Sequence, residues 1–344
     1  MFVGHEFLAF ALAAGGAVAL GWEDATSLRI GAVAALAALL PDLDVVYAVA
    51  TYAVAVAEGT PLGWEAFWGV ANGVHRVVTH PLPVGLVGTA VFGTAVLAAV
   101  AVDDVRLRRR ALAAGAALVS IAGVGVVVGA FRADRGVAAA VVAVAFLACI
   151  AGFGALVGRR RDLPPAASTA AVAVGLLSHP FGDVFLAAPP PLLAPFGPRV
   201  LADRVVLATD PTLNLLAILF VEVGVVWAGV AAFWRVRPAG FDPGQRDWRR
   251  LGDAVDRRAA LGAAYVPLAF FLPRPTIADA HVLGFTIVPL AVAVGVWVGV
   301  TSSAESDRTT GALSGFVAGL GALSVGAAGY ALAYLFSYPL LSVA

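Results

Sequence analysis

Lysine is absent from the chain, and every one of the 22 basic residues is Arg. Cysteine occurs once. A lone Cys149 excludes an intrachain disulfide and a zinc site built on thiolates; within the apolar run 146–150 it reads as a small core or lipid-facing side chain. Charge is scarce as well. Only 13% of residues are charged, about half the share in a soluble domain. The formal net charge is zero, so nothing in the overall balance points to a nucleic-acid partner. Histidine is limited to 5 of 344 residues.

What fills the chain is apolar: 61% of it is hydrophobic. A spanning helix needs about 20 mainly apolar residues. Segments of that kind run over 6–21, 28–40, 82–102, 108–131, 137–158, 167–187, 213–234, 259–272, 281–301 and 311–336, with the second and eighth short. Stretch 43–57 is apolar but too short to read as a span, and is expected as a re-entrant or interfacial helix. Residues 64–74, with Trp64, Phe67 and Trp68, read as an interfacial aromatic segment. Residues 7–20 resemble a signal-peptide core, but His5 and Glu6 precede them where such a leader carries basic residues; they are read as a retained first helix. The expected architecture is an all-α, polytopic membrane bundle of about nine or ten transmembrane helices, with a kinked helix at 167–187.

Arginine placement orients the bundle. Arg106, Arg108, Arg109 and Arg110 form one cluster, 159–161 a second, and segment 235–258 a third. The positive-inside tendency puts all three in the cytoplasm; Arg132 and Arg135 then fall outside, against that tendency. Residues 1–210 hold the motifs described next and form one expected domain. Residues 211–344 add further spans of unassigned role, with a loop that alternates Arg and Asp.

Four of the five histidines lie in short polar stretches: Gly4-His5, Pro41-Asp42-Leu43-Asp44, His75-Arg76-Val77-Val78-Thr79-His80, and His179-Pro180-Phe181-Gly182-Asp183. In the expected topology all four reach the extracytoplasmic face. Imidazole plus carboxylate without thiol is the ligand set of a hydrolytic metal site. His179 and Asp183, four apart, project from one helix face, and Pro180 breaks that helix. Asp42 and Asp44 follow a helix-stopping Pro41; capping accounts for one carboxylate and leaves the other for a cation. His75 and His80 differ by about 140° on a regular helix, but Pro81 and Pro83 break it and free His80 to turn inward. Arg76 either holds a phosphate or carboxylate, or pairs with Asp42 or Asp44. His5 is a weaker ligand candidate at a helix start. His281 is read as structural. Glu222, mid-span in 213–234, is an acid in an expensive place.

Gly-His, Leu-Leu-Pro-Asp-Leu-Asp, His-Arg-x-x-Thr-His and Gly-Leu-Leu-Ser-His-x-x-x-Asp, in this order and followed by a Pro-rich tail at 189–195, resemble the YdjM-like inner-membrane family, described as metal-dependent hydrolases. The resemblance covers roughly residues 1–200. The chain departs from the family pattern at Val45 (His in the family), Val77 (Gly) and Pro81 (Ser), and the lost His argues against a second metal. The same order is more distantly similar to zinc-dependent phospholipase C and P1-type nucleases. That likeness implies metal ligation by His75 or His80, Asp42 or Asp44, His179 and Asp183, and a phosphate on Arg76.

The sequence therefore predicts a membrane-bound hydrolase. It holds a divalent metal, zinc first and Mn²⁺ or Mg²⁺ as alternatives, on His75, His80, His179, Asp183, Asp42, Asp44 and His5. Asp42 or Asp44 serves as general base beside Arg76. Its partner is membrane lipid, with a lipid-like or other amphiphilic phosphoester as substrate. Two further readings use the same residues. One is a transporter or channel with Glu222 and the motifs along a path. The other is a non-catalytic structural protein, in which the His and Asp side chains would lie beyond coordination distance of one another.

Overall fold

The computed structural model describes residues 3–71, 75–101, 107–185, 188–237, 251–271, 274–305 and 308–341. Arg106, the end of the aromatic segment at 72–74, residues 186–187 of the expected kinked helix, and 238–250 of the charged loop lie outside the described residues.

The described residues form helices and no strand. The α-helices are α1 (Gly4–Ala19), α2 (Asp24–Leu39), α3 (Val45–Ala57), α4 (Trp64–Ala71), α5 (Leu82–Ala101), α6 (Leu107–Arg135), α7 (Val137–Arg160), α8 (Pro165–Gly182), α9 (Pro211–Val236), α10 (Ala280–Glu305) and α11 (Arg308–Leu341). Pro41–Asp44 is a 3₁₀ turn that carries α2 into α3, so Asp24–Ala57 is one helical rod of 34 residues. Seven segments of the described chain are long and apolar enough to cross a membrane. The other three expected spans are shorter. Helix α1 has 16 residues and α8 has 18.

The third, expected at 259–272, is not an α-helix: Arg257–Phe270 winds as 3₁₀ with Pro267 inside. At 3₁₀ rise these residues extend to about 28 Å, against about 21 Å as α-helix, close to the roughly 30 Å of a hydrocarbon core. Helix α8 stops at Gly182, short of the expected 187, because Pro180 takes one N–H out of its last turn.

The chain divides into two compact units: residues 1–205 with 228–236, and 206–227 with 237–344. In the first unit small side chains let helices approach. Ala9 and Ala14 of α1 and Ala34, Ala37 and Ala38 of α2 are fully buried, as small-residue interfaces in membranes require. Helix α8 crosses α2 at Gly175, where a Cβ would stand 2.4 Å from the Ala34 carbonyl oxygen. Helices α5, α6 and α7 complete this unit around Phe92, Val96, Leu147 and Ile150. Leu118, Val119 and Ile121 on α6 are exposed, as a lipid-facing flank would be. The last turns of α9 also belong here: Phe233 lies 6.3 Å from Phe10, and Arg235 pairs with Asp24 at 2.7 Å.

In the second unit α10 and α11 cross on a stripe of glycines, Gly295 and Gly299 against Gly311, Gly315 and Gly319. Tyr265 of the 3₁₀ segment packs 5.5 Å from Tyr330 of α11 and bonds the Thr286 hydroxyl at 2.6 Å. Asp210 caps α9 by accepting from the Leu213 amide. Glu222 is half-buried on α9 in this unit.

Candidate metal centre

Four chain segments end at one place in the first unit: the start of α1, the 3₁₀ turn after α2, the turn 75–81 ahead of α5, and the last turn of α8. Each brings one of the polar stretches. Asp42, His80, His179 and Asp183 each offer a ligating atom, and these atoms lie within 4.8 Å of one another. His80 Nε2 is 3.0 Å from His179 Nε2 and 3.1 Å from Asp183 Oδ2. Asp42 Oδ1 is 3.5 Å from the Nε2 of both histidines, and His179 Nε2 is 3.7 Å from Asp183 Oδ2. Ligands about 2.0–2.2 Å from one tetrahedral zinc stand roughly 3.3–3.6 Å apart, so the residues present fit such an ion. His80, His179 and Asp183 are buried; the Asp42 side chain is 21% exposed and forms the open side.

A second layer fixes the turn that carries His80. Asp44 accepts from the Arg76 amide at 2.8 Å and from the Thr79 hydroxyl at 2.6 Å, and it bonds His75 Nδ1. Having given its only hydrogen to Asp44, Thr79 Oγ1 accepts from His80 Nδ1, 2.9 Å away. That assigns the Nδ1–H tautomer and turns the Nε2 lone pair toward the other three ligands. Burial opposes charge on His80, yet its hydrogen bonds with Asp183 and Asp42 prevail and push the imidazole up to about 9.

The remaining expected residues adjoin the four. His5 stacks on His179 at 3.9 Å, with Nε2 3.3 Å from Asp183 Oδ1. Its ring fits because residue 182 is Gly: a Cβ there would stand 2.5 Å from His5 Cε1. His75 lies against Asp44, its ring 5.5 Å from that of His80. Arg76 Nη2 is 3.0 Å from Asp183 Oδ1, so its carboxylate partner is Asp183 and not the expected Asp42 or Asp44. Glu222 and His281 belong to the second unit. Two contributors were passed over in the sequence, Thr79 as a tautomer-setting hydroxyl and Gly182 as the space for His5. Both are read only from partners far away in the chain.

Above the turn, α3 and α4 pair as a hairpin. Tyr52 closes it by accepting from the Gly63 amide at 2.9 Å and donating to the Pro61 carbonyl at 3.0 Å. Phe67 lies 5.4 Å from Tyr52 and 5.0 Å from Trp68, and Trp68 reaches to 6.3 Å from His75. Val46, Val49, Val54, Leu62 and Trp64 of this hairpin are exposed.

Fold and site together define a multi-pass membrane protein with a buried His/Asp cluster able to hold a metal ion. The chain belongs to the family described as YdjM inner membrane protein, whose profile matches residues 1–241. The match runs past the expected limit near 200 and takes in α9, whose last turns pack within the first unit against α1 and α2. Comparisons with curated proteins and with solved structures give no match.

Proposed function

We propose that the protein is a membrane-bound, metal-dependent hydrolase whose site opens on the extracytoplasmic surface. The observation that carries this is the meeting of Asp42, His80, His179 and Asp183 within 4.8 Å, from three segments that the fold had to bring together. The ligand-to-ligand distances argue against the purely structural reading, which has these groups apart.

Zinc matches the imidazole and carboxylate donors; when bound, it supplies a polarised scissile group and a water whose pKa falls to about 7. His80, His179 and Asp183, all buried, hold the ion. Thr79 keeps His80 in the ligating tautomer, and Asp44 holds Thr79 and the turn. Asp42, on the open side, takes the proton of the attacking water on its carboxylate. The surrounding helices exclude water on every side but this one.

The placement outside the cytoplasm is supported by the arginines. Arg159 and Arg160 end α7, Arg29 bonds the Asp162 carbonyl at 3.5 Å, and Arg235 pairs with Asp24. These mark the end of the first unit opposite to the four motif stretches, and positive ends stay inside. The exposed apolar residues of the α3–α4 hairpin suit immersion at the headgroup level beside the site.

Metal analysis of the detergent-purified protein tests this. The wild type is expected to carry about one equivalent of zinc, lost in His179→Ala and Asp183→Ala and kept in Asp42→Asn. Chelation is expected to lower its melting temperature, since an ion bound only by the folded state stabilises it. Equal metal in wild type, His179→Ala and Asp183→Ala would sink the proposal.

A further inference from the structure

The metal reading leaves one buried cation only half used. Arg76 sits in the same turn as His75 and His80, and its side chain is 10% exposed. One end, Nη2, is anchored on Asp183. Nε and Nη1 are buried and meet no acceptor among the described residues. A guanidinium cannot shed its proton to relieve this, and buried charged donors without acceptors are strongly disfavoured. The backbone adds to the puzzle. Arg76 has φ +71°, a left-handed conformation that Gly adopts freely and an L-side chain does not. Glycine would suit the main chain better, so the side chain must repay the strain at this position.

Asp183 sets where the free donors stand. Its Oδ1 faces Arg76 and its Oδ2 faces His80 Nε2. Nη2 is therefore one carboxylate's width from the ligand cluster, and the unmet Nε and Nη1 belong to the same guanidinium. A group that reaches both a bound cation and these donors must carry several oxygens on one centre, and negative charge. A phosphoryl oxyanion does this: one oxygen toward the cation, a second on Arg76, and the ester substituent left pointing to the open Asp42 side. A carboxylate would spend both oxygens and leave no bond to cleave.

We infer that Arg76 forms a phosphoryl-oxyanion subsite of the metal centre, and that phosphate esters are the substrate class; this rests on the hydrolase reading above. In the reaction a water oxygen bonds phosphorus as the phosphorus–oxygen bond to the alcohol breaks. One water proton goes to Asp42, the leaving alkoxide takes a proton from solvent on the open side, and Asp42 returns its proton to solvent. The products are phosphate and an alcohol, and no electrons are exchanged.

The test is titration of zinc-loaded, full-length protein in detergent with inorganic phosphate, followed by calorimetry, with zinc content measured in parallel. Arg76→Gly suits the backbone and is expected to fold. It should keep its zinc and bind phosphate roughly ten- to a hundredfold more weakly, the range for lost hydrogen bonds to a charged group. Arg76→Lys should fall between, and acetate should not compete. Should Arg76→Gly fail to fold, Arg76→Lys carries the test, and phosphate affinity equal to wild type there overturns the inference. It is likewise overturned if zinc-loaded Arg76→Gly binds phosphate as the wild type does, or if zinc is lost along with the side chain, which would make Arg76 a mere prop for Asp183. A wild type that holds no zinc overturns both readings; indifference of phosphate to Arg76 in zinc-loaded protein overturns this one alone. Phosphatidic acid in mixed micelles, set against glycerol phosphate, separates the two sources: tighter Arg76-dependent binding of the former names a lipid headgroup, and equal binding names a soluble ester.

Discussion

A single hydroxyl sets the tautomer of His80. Thr79 passes its hydrogen to Asp44 and takes one from His80 Nδ1, so the imidazole turns its lone pair inward without rearranging. Thr79→Val keeps the shape and removes both bonds. Losing such an outer partner typically weakens metal binding ten- to a hundredfold; that fall is expected in competition with a chromogenic chelator, and Thr79→Ser should restore most of it. Unchanged affinity in Thr79→Val would mean that the tautomer is set by the metal itself. Residues of this kind show how far the sequence can be read. His179 and Asp183 were visible because four residues make one helical turn. His80 was visible because Pro81 and Pro83 stop a helix beside it. His75 looked like its equal, yet it bonds Asp44, 31 positions away. Nothing local separates a histidine that joins the four-residue cluster from one that lies beside it.

At the level of elements, hydropathy was enough to find the long helices, since burial in lipid leaves little freedom in composition. It was not enough to find winding. The run 259–270 reads as a short apolar span but takes the 3₁₀ form, packed along α11. Crossing points were equally hidden: Gly175 reads as one more small residue in α8, and only the α2 backbone behind it makes it obligatory. Gly175→Ala places a Cβ 2.4 Å from the Ala34 carbonyl oxygen. The two helices must part, at a cost of about 1–3 kcal/mol typical of overpacking. Because His179 is one turn further along α8, zinc affinity should fall together with thermal stability. Gly152→Ala, which meets nothing within 4 Å, is the matched control and should leave both unchanged. A neutral Gly175→Ala would show that α8 is free to slide on α2.

For the whole molecule the governing fact is that the polar stretches of the first unit and its arginine cluster at 159–161 occupy opposite ends of the helices. Helix α7 ends in Arg159 and Arg160; the Pro-rich tail lies at the other end, where the Leu82 amide bonds the Leu192 carbonyl at 2.9 Å. If cytoplasmic arginines fix the orientation, the His/Asp cluster faces out, as proposed above. Arg132 and Arg135 at the site's end weigh against this, but Asp134 lies between them and pairs with Arg135 at 3.0 Å. The balance can be measured directly. With the exposed Cys149 replaced by Ala, single cysteines at Leu193, beside the site, and at Arg160 are treated in intact cells with a membrane-impermeant maleimide. Leu193→Cys is expected to label at once, and Arg160→Cys only after the membrane is opened. The reverse pattern would turn the His/Asp cluster toward the cytoplasm and overturn the proposed placement, while leaving the geometry of the cluster as described.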